Sequence, residues 1–493
     1  MKKSKEHSSV WNSRSAFRLK SLCLVVCLFG LILVLATRPI SQSSLHGGTT
    51  GGDKSDGKVI PKGEAFLSKN KPLDSGSTLR EEDSSDVEDT EDLDEENGVE
   101  KTAIAAADRT SADDDGEDGA ETEKSETVLR QNPDGCDLFT GHWVADPLGP
   151  MYAYNSCRVL SQPQNCQDNG RPDNNYQFYK WKPQGCEIPR LDPIAFLKVM
   201  EGKTMGFVGD SLARNQYESL LCILLQVEDA KPTGNRNMQR WYFRNHKFTL
   251  IRIWSSFLVR QSSEPFSYAP DDSTKLFLDE LDTYAEYIPR FDVVIISSGH
   301  WWMRKSAYIV DGEILGGYKW EPNVTEIDQG RAFSMAFETA LRLIGEIPNY
   351  NGLIILKPYS PDHYQGGQWD TGGSCTGKTD PYSPEQAPRN SFNDMMRKRQ
   401  MDALELVTKR LKTSKKRNGS KFTVLDVFEA LNYRADGHPG PYRSKDPNKR
   451  TQRDEKGRPP PQDCLHWCMP GPVDTVNQLL FEILKRQLPK QMQ

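Results

Sequence analysis

The sequence holds no dinucleotide fingerprint and no His-Glu-x-x-His pair, and no Walker loop is read in it. These gaps argue against a nicotinamide-dependent oxidoreductase, a helix-borne zinc protease and a nucleotide hydrolase. The serine at position 211 is not framed as Gly-x-Ser-x-Gly, which disfavours the nucleophile-elbow hydrolases. No internal repeat is seen, which argues against a solenoid or propeller. Histidine is scarce, with 8 in 493 residues, so the few that stand in motifs can be weighed one by one. Long apolar runs are scarce too, and the run that stands out lies near the start.

That run is Leu22 to Ala36, preceded by Lys2, Lys3, Lys5, Arg14, Arg18 and Lys20. The positive flank keeps the N-terminus in the cytosol and places everything after Arg38 on the other side. Residues 1–20 therefore read as a cytosolic basic tail and 21–37 as a transmembrane signal anchor. A cleaved signal peptide is the alternative; the long basic leader and the lack of a clear small-x-small site stand against it. Residues 38–134 read as a disordered acidic stem, because few aromatics leave too little apolar surface to offset chain entropy. Between Glu81 and Glu126, 21 acidic residues stand against Lys101, Arg109 and Lys124. A regulatory or binding tail is the competing reading of that run. Taking this local −18 out of the chain total of −6 leaves +12 for the remainder. A basic folded part suits an anionic or weakly acidic partner and says nothing of chemistry.

Cys23 and Cys27 lie in the anchor, and Cys136, Cys157, Cys166, Cys186, Cys222, Cys375, Cys464 and Cys468 lie beyond it. Eight cysteines on the non-cytosolic side imply disulfides, with their pairing open. Asn323-Val-Thr325 and Asn418-Gly-Ser420 are glycosylation acceptors that fit a secretory lumen. Composition changes at Cys136. Residues 135–190 read as a loop-rich, disulfide-stapled N-terminal subdomain, and 191–493 as an α/β catalytic domain. The expected strands are Thr204–Val208, Thr249–Ile253, Val293–Ser297, Leu353–Lys357 and Thr423–Val427. The expected helices are Leu212–Leu225, Gly330–Ile344, Ser391–Lys412 and Val473–Arg486. Strands alternating with helices imply a parallel sheet covered on both faces, with ligands at the carboxyl ends of the strands.

Ser211 falls at such an end. Thr204-Met-Gly-Phe-Val-Gly-Asp-Ser211 reads as a buried strand, a tight turn and a helix start. Unpaired amides and the helix dipole favour an oxyanion there; a plain N-cap is the bland reading. The second constellation is Asp463-Cys-Leu-His-Trp-Cys468. Asp and His three apart lie on one face of a turn, so the carboxylate can orient the imidazole, which is the base an activated serine requires. The bland reading is a stapled loop with Asp463 capping a turn. A zinc site is a further alternative, opposed by the oxidising compartment. His438, in Asp436-Gly-His-Pro, competes for the role of base. Ser297, Gly299 and His300 suit oxyanion donors at another strand end. Trp301, Trp302, Trp369 and Trp467 suit either sugar stacking or the core.

These stretches together resemble the plant trichome birefringence-like proteins, Golgi O-acetyltransferases of wall polysaccharides. The likeness runs from Cys136 to the C-terminus. It includes Cys136-Asp-Leu-Phe, Asn165-Cys166, Asn169-Gly-Arg-Pro-Asp173, Phe207-Val-Gly-Asp-Ser211, Arg214-Asn-Gln216, Gly299-His-Trp301, Trp369 with Gly372-Gly373, and Asp463-Cys-Leu-His466. The resemblance implies a flavodoxin-like sheet of the GDSL/SGNH esterase type, with Ser211 as nucleophile, His466 as base and Asp463 as orienter. It implies an acetyl-serine intermediate and a hemicellulose acceptor. It further implies acetyl-CoA or a derived luminal donor, no bound cofactor or metal, and a single-pass type II Golgi protein with a luminal catalytic domain. Donor-supplying membrane proteins are expected partners, and nucleic acid is not. Gly209, Asp210, Arg214, Asn215, Ser297, Gly299, His300, Trp301 and His438 form the expected oxyanion or substrate-positioning set. Two departures stand out. Many relatives carry Asn where this chain has Ser297. Asp436-Gly-His-Pro-Gly-Pro441 differs from the Asp-Ala-His-Pro-Ser form of xylan-acting members, which points to xyloglucan ahead of xylan or mannan. An acetylesterase and a non-catalytic polysaccharide binder are the other readings.

Overall fold

The computed structural model describes residues 136–263, 273–320, 327–455 and 457–488. The expected tail, anchor and stem lie outside the described residues, as does Asn323. Among the described residues no helix is long and apolar enough to cross a membrane.

In chain order the strands are β1 (Asp137–Ala145), β2 (Tyr179–Gln184), β3 (Thr204–Gly209), β4 (Lys231–Gly234), β5 (Met238–Phe243), β6 (Phe248–Trp254), β7 (Val259–Ser262), β8 (Thr274–Leu281), β9 (Val293–Ser297), β10 (Ser306–Val310), β11 (Glu313–Tyr318), β12 (Leu353–Leu356) and β13 (Lys421–Val424). The helices are α1 (Pro193–Val199), α2 (Ser211–Leu224), α3 (Gln329–Gly345), α4 (Ser391–Thr413), α5 (Phe428–Asn432), α6 (Asn448–Thr451) and α7 (Pro472–Gln487). Five strands run parallel in the order β13-β12-β9-β3-β6. β5 and β4 extend the β6 edge antiparallel. The parallel set has the flavodoxin-like order, in which winding reverses between the first strand and the third, here β3 and β9.

Side-chain alternation explains why both faces are covered. Met205, Phe207, Val293, Ile295, Leu353 and Ile355 enter one core with Phe196 of α1, Leu220 of α2 and Leu480 of α7. Val208, Val294, Ile296, Ile354 and Leu356 enter the other with Phe337 of α3 and Leu404 of α4. Strands buried on both sides read as unbroken apolar runs, and that made them visible in the sequence. Asp210, Asp328 and Asn390 cap α2, α3 and α4 through their side chains. β13 begins two residues before the expected strand and ends at Val424. Leu425 and Val427 extend the apolar run because they turn into the core beside α5.

A second sheet, β11-β10-β8-β7, is a finding the sequence reading did not contain. Its Leu276, Leu278, Tyr308 and Val310 pack into the same core as α3. The N-terminal region is an antiparallel β1–β2 pair with long loops. The cysteines pair as Cys136–Cys186, Cys157–Cys222, Cys166–Cys468 and Cys375–Cys464. Two of these bonds join the N-terminal region to the rest, one at α2 and one beside His466.

Gly209 closes β3 with φ of 151°. A Cβ there would sit 1.7 Å from the Ser297 carbonyl oxygen. Gly209→Ala is expected to lower unfolding free energy by about 3 kcal/mol or more, read by chemical denaturation. A change below about 1 kcal/mol would show that the β3–β9 approach is not tight.

Candidate active site

The turn after β3 is built around Asp210. One carboxylate oxygen accepts from the Leu212 amide at 3.0 Å and the other from the Gly299 amide at 3.0 Å. The side chain thus caps α2 and ties it to the loop after β9. Burial pushes the Asp210 carboxyl up, opposed by those two amides and by Lys357. Ser211 follows as the first residue of α2, with an amide that a helix start leaves without an i−4 partner.

Across the sheet edge, His466 Nε2 lies 2.7 Å from Ser211 Oγ. His466 Nδ1 lies 2.9 Å and 3.1 Å from the two Asp463 oxygens. A carboxylate there fixes Nδ1 as the protonated nitrogen and leaves Nε2 free to take the serine proton. Asp463 also accepts from the Leu465 and His466 amides and faces Arg443 at 3.6 Å. Burial alone would push its carboxyl up, but His466, its donated hydrogen bonds and Arg443 outweigh that and hold it well below the usual carboxylate range. The serine and imidazole are half-buried, with 18% of the His466 side chain exposed.

Other expected site residues take different places. Asn215 is buried, and its amide grips the Trp467 main chain, accepting from N at 2.8 Å and donating to O at 3.2 Å. It holds the histidine loop rather than a ligand. His438 is corrected as a candidate base: Nδ1 meets the His466 carbonyl at 2.7 Å and Nε2 meets His363 Nδ1 at 2.7 Å. The Gly299 amide is engaged by Asp210 and is corrected as an oxyanion donor. Ser297 is buried, and its Oγ accepts from Lys357 Nζ at 3.1 Å. His300 stacks on Tyr359 and meets the Ser360 carbonyl at 2.9 Å; burial lowers its imidazole to about 3. Trp302 and Trp467 are core, Trp369 is 59% exposed, and Trp301 is half-buried. Arg214 is half-buried beside Trp254, with its guanidinium 6.0 Å from the ring centre. Cys464 and Cys468 are both in disulfides, which removes the thiolates a zinc site needs. Asn418 Nδ2, where a glycan would attach, donates to the Ile344 and Ile347 carbonyls. A glycan on that nitrogen has to give up at least one of these bonds.

Three features escaped the sequence reading. Lys357 lies buried against Ser297, with burial lowering its ammonium to about 8 against the pull of Asp210. A lysine closing the apolar run Leu353–Leu356 was the available signal. Trp254, at the carboxyl end of β6, crosses Trp301 edge to face at 5.8 Å. Gly372-Gly-Ser-Cys-Thr-Gly-Lys-Thr379 does spell the Walker pattern, contrary to the reading above. No strand leads into it, and the next helix, α4, begins only at Ser391. It therefore lacks the strand–loop–helix frame that cradles phosphate.

The chain is similar in sequence to known proteins. A family model described as the GDSL/SGNH-like acyl-esterase family found in Pmr5 and Cas1p matches residues 188–483. A PMR5 N-terminal domain matches residues 134–187. Protein trichome birefringence-like 18 of Arabidopsis thaliana is 47% identical over 440 residues, covering 87% of this chain and 79% of that protein. The chain belongs to the trichome birefringence-like family. Protein YLS7 of the same plant is 45% identical over 436 residues, 88% of this chain and 79% of its own. Its xyloglucan O-acetyltransferase 2 is 38% identical over 361 residues, 71% of this chain and 83% of its own. In this trichome birefringence-like chain, the family matches span both the N-terminal region and the sheet.

The geometry predicts a serine that reacts with a fluorophosphonate probe. Asp463→Asn is expected to slow labelling by about ten-thousandfold, through the wrong tautomer, with the circular dichroism spectrum unchanged. Labelling at the wild-type rate would sink the assignment of Asp463 as orienter.

Proposed function

We propose that this protein is a polysaccharide O-acetyltransferase that works through an acetyl-serine. The observation carrying the reading is the 2.7 Å contact between Ser211 Oγ and His466 Nε2, with Asp463 behind the ring. Ser211 Oγ attacks the acetyl carbonyl of the donor while its proton passes to His466 Nε2. The donor's leaving group departs with that proton, leaving acetyl-Ser211. A sugar hydroxyl then gives its proton to His466 and attacks the ester carbonyl. Ser211 leaves and recovers the proton, and Asp463 stays ionised throughout. The donor is acetyl-CoA or a derived luminal acetyl carrier. The amide of Ser211, at the start of α2, is a candidate for holding the developing oxyanion.

The acceptor is a hemicellulose, with xyloglucan first and xylan or mannan next. Support comes from relatives named xyloglucan O-acetyltransferase in Arabidopsis thaliana and Populus trichocarpa. The Gly-Pro form of the loop after His438 points the same way. The N-terminal basic tail, the apolar run at 21–37 and the acidic stem support a single-pass type II protein of the Golgi membrane, with its catalytic domain in the lumen and donor-supplying membrane proteins as partners. The four disulfides fit that compartment. Acetylester hydrolysis is the second reading, favoured by the acyl-esterase description of the family; water would then replace the sugar.

Full-length protein in detergent, given an acetyl donor and xyloglucan, xylan or mannan oligosaccharides, is expected to yield acetylated product by mass spectrometry. Ser211→Ala should lose at least about a thousandfold in rate. An unchanged rate in that variant would overturn the mechanism, and acetate release without transfer would establish the hydrolytic reading.

A further inference from the structure

His363 and His438 form a buried pair that the transfer mechanism does not use. His363 and His438 are both buried, at 5% and 3% exposure. Three polar contacts run in a line through them. The His466 carbonyl meets His438 Nδ1 at 2.7 Å, His438 Nε2 meets His363 Nδ1 at 2.7 Å, and His363 Nε2 meets the Asn432 carbonyl at 2.9 Å. Carbonyl oxygens only accept, so each outer nitrogen must carry a proton. Two neutral imidazoles hold one proton each. With both of those used at the carbonyls, two lone pairs would face each other across the central contact.

We propose that His363 and His438 hold three ring protons between them, the third lying between His438 Nε2 and His363 Nδ1, and that this imidazole–imidazolium pair positions His466. Both residues brace the loop carrying the base. His438 Nδ1 donates to the His466 carbonyl, and the His363 amide donates to the Cys464 carbonyl at 3.0 Å. Trp467 stacks on His438 at 4.2 Å, and Arg171 donates to the His438 carbonyl at 2.8 Å, so the ring has little room to turn. The charged groups around the pair are Asp463 and His466 on the base loop, Asp436 beside His438, the Arg434 guanidinium paired with Asp436, and the Arg171 guanidinium on the His438 carbonyl. Burial by itself pushes both imidazoles down, His363 to about 4. The two carboxylates favour the shared proton, as does the facing of lone pairs in its absence. The bracing state exists below the pair's own titration and is lost as pH rises through it.

The role in catalysis rests on the transfer reading above; the proton does not, so the two are tested apart. Full-length protein carrying 15N-labelled histidine is examined by NMR in detergent, with His363→Asn and His438→Asn used to assign the pair among the eight histidines. The expected result is three protonated ring nitrogens in the pair, with one slowly exchanging, far-downfield proton linking the two residues. Two protonated and two bare nitrogens at every value from about pH 5 to about pH 8 would overturn the proposal. In His363→Asn the side-chain amide can donate to His438 Nε2 without titrating. Wild-type serine labelling or acetyl transfer is expected to fall about tenfold across the pair's titration, and the variant's by less than about twofold. An identical alkaline fall in both proteins would also overturn it.

Discussion

A serine and a histidine 255 positions apart meet at 2.7 Å, and much of the surrounding structure serves to hold that contact. A reacting pair tolerates about half an ångström of misplacement. The two partners start from unequal footing. Ser211 stands on a helix that follows a central strand, and the β3–β9 approach at Gly209 and the Asp210 carboxylate fix it from both sides. His466 stands on a loop with no ladder of its own, so its position depends on partners for its main chain. Asn215 is the most economical of these. It lies one helical turn after Ser211 on α2, on the same face, and grips Trp467 through both main-chain atoms. One helix thus presents the nucleophile and holds the neighbour of the base.

The remaining partners come from far along the chain. The Cys468 amide donates to Gly437, the Met469 amide to Gln164, and Asp463 pairs with Gly440 in both directions. Arg171, from the N-terminal region, donates to the Asp436 and His438 carbonyls and reaches the Cys468 sulfur. Arg434 and Asp436 form an ion pair with no exposure, and Arg434 also donates to the Tyr176 carbonyl. A buried ion pair adds little stability over an apolar core of the same shape. Its use here is directional. Apolar side chains would fill the space, but they could not hold the carbonyls of Tyr176, Asp436 and His438 to a common register, whereas guanidinium forks can. The region matched by the PMR5 N-terminal domain is accordingly part of the frame around the base.

What could be read beforehand follows from the same physics. β3, β9 and β12 were legible because strands covered on both faces leave long apolar runs, and α2 to α4 because they pair a cap with an apolar stripe. Gly-Asp-Ser and Asp-x-x-His were legible because each is local: the capping contact of Asp210 and the carboxylate–imidazole contact of Asp463 close within three residues. β8 and β10, the two inner strands of the second sheet, were missed because charged residues bound their apolar stretches: Lys275 and Asp279 enclose Leu276–Leu278 in β8, and Arg304, Lys305 and Asp311 flank β10. Lys275 even sits buried inside β8. His438 was misread because its acidic neighbour Asp436 suggested a catalytic pair, while Asp436 is in fact taken by Arg434. Its true partner, His363, is 75 positions away, and no local pattern announces that distance. The Walker letters at Gly372–Thr379 fail for the opposite reason. The letters are local, but the frame that gives them meaning is not.

The reacting trio itself does not choose between a sugar and water, since His466 can take a proton from either. On the transfer reading proposed above, selection resides in what holds an acceptor hydroxyl near the acyl group longer than water resides there, an effect of proximity rather than of base strength. The carboxyl edge of the sheet is where such contacts gather, because loops there can vary without disturbing the core. Trp254 ends β6 and Trp301 follows β9, the two strands flanking β3, and their rings cross at 86°. Arg214 and Arg304 lie against those rings, at 6.0 Å and 3.8 Å from their centres. Such a corner of two aromatic planes is a surface on which a sugar ring can stack and a water molecule cannot. The Ser211–His466–Asp463 contacts and the aromatic rim thus occupy different parts of one edge. Ser211, His466 and Asp463 are held by the frame, while the rim around them stands on segments that can vary without moving them.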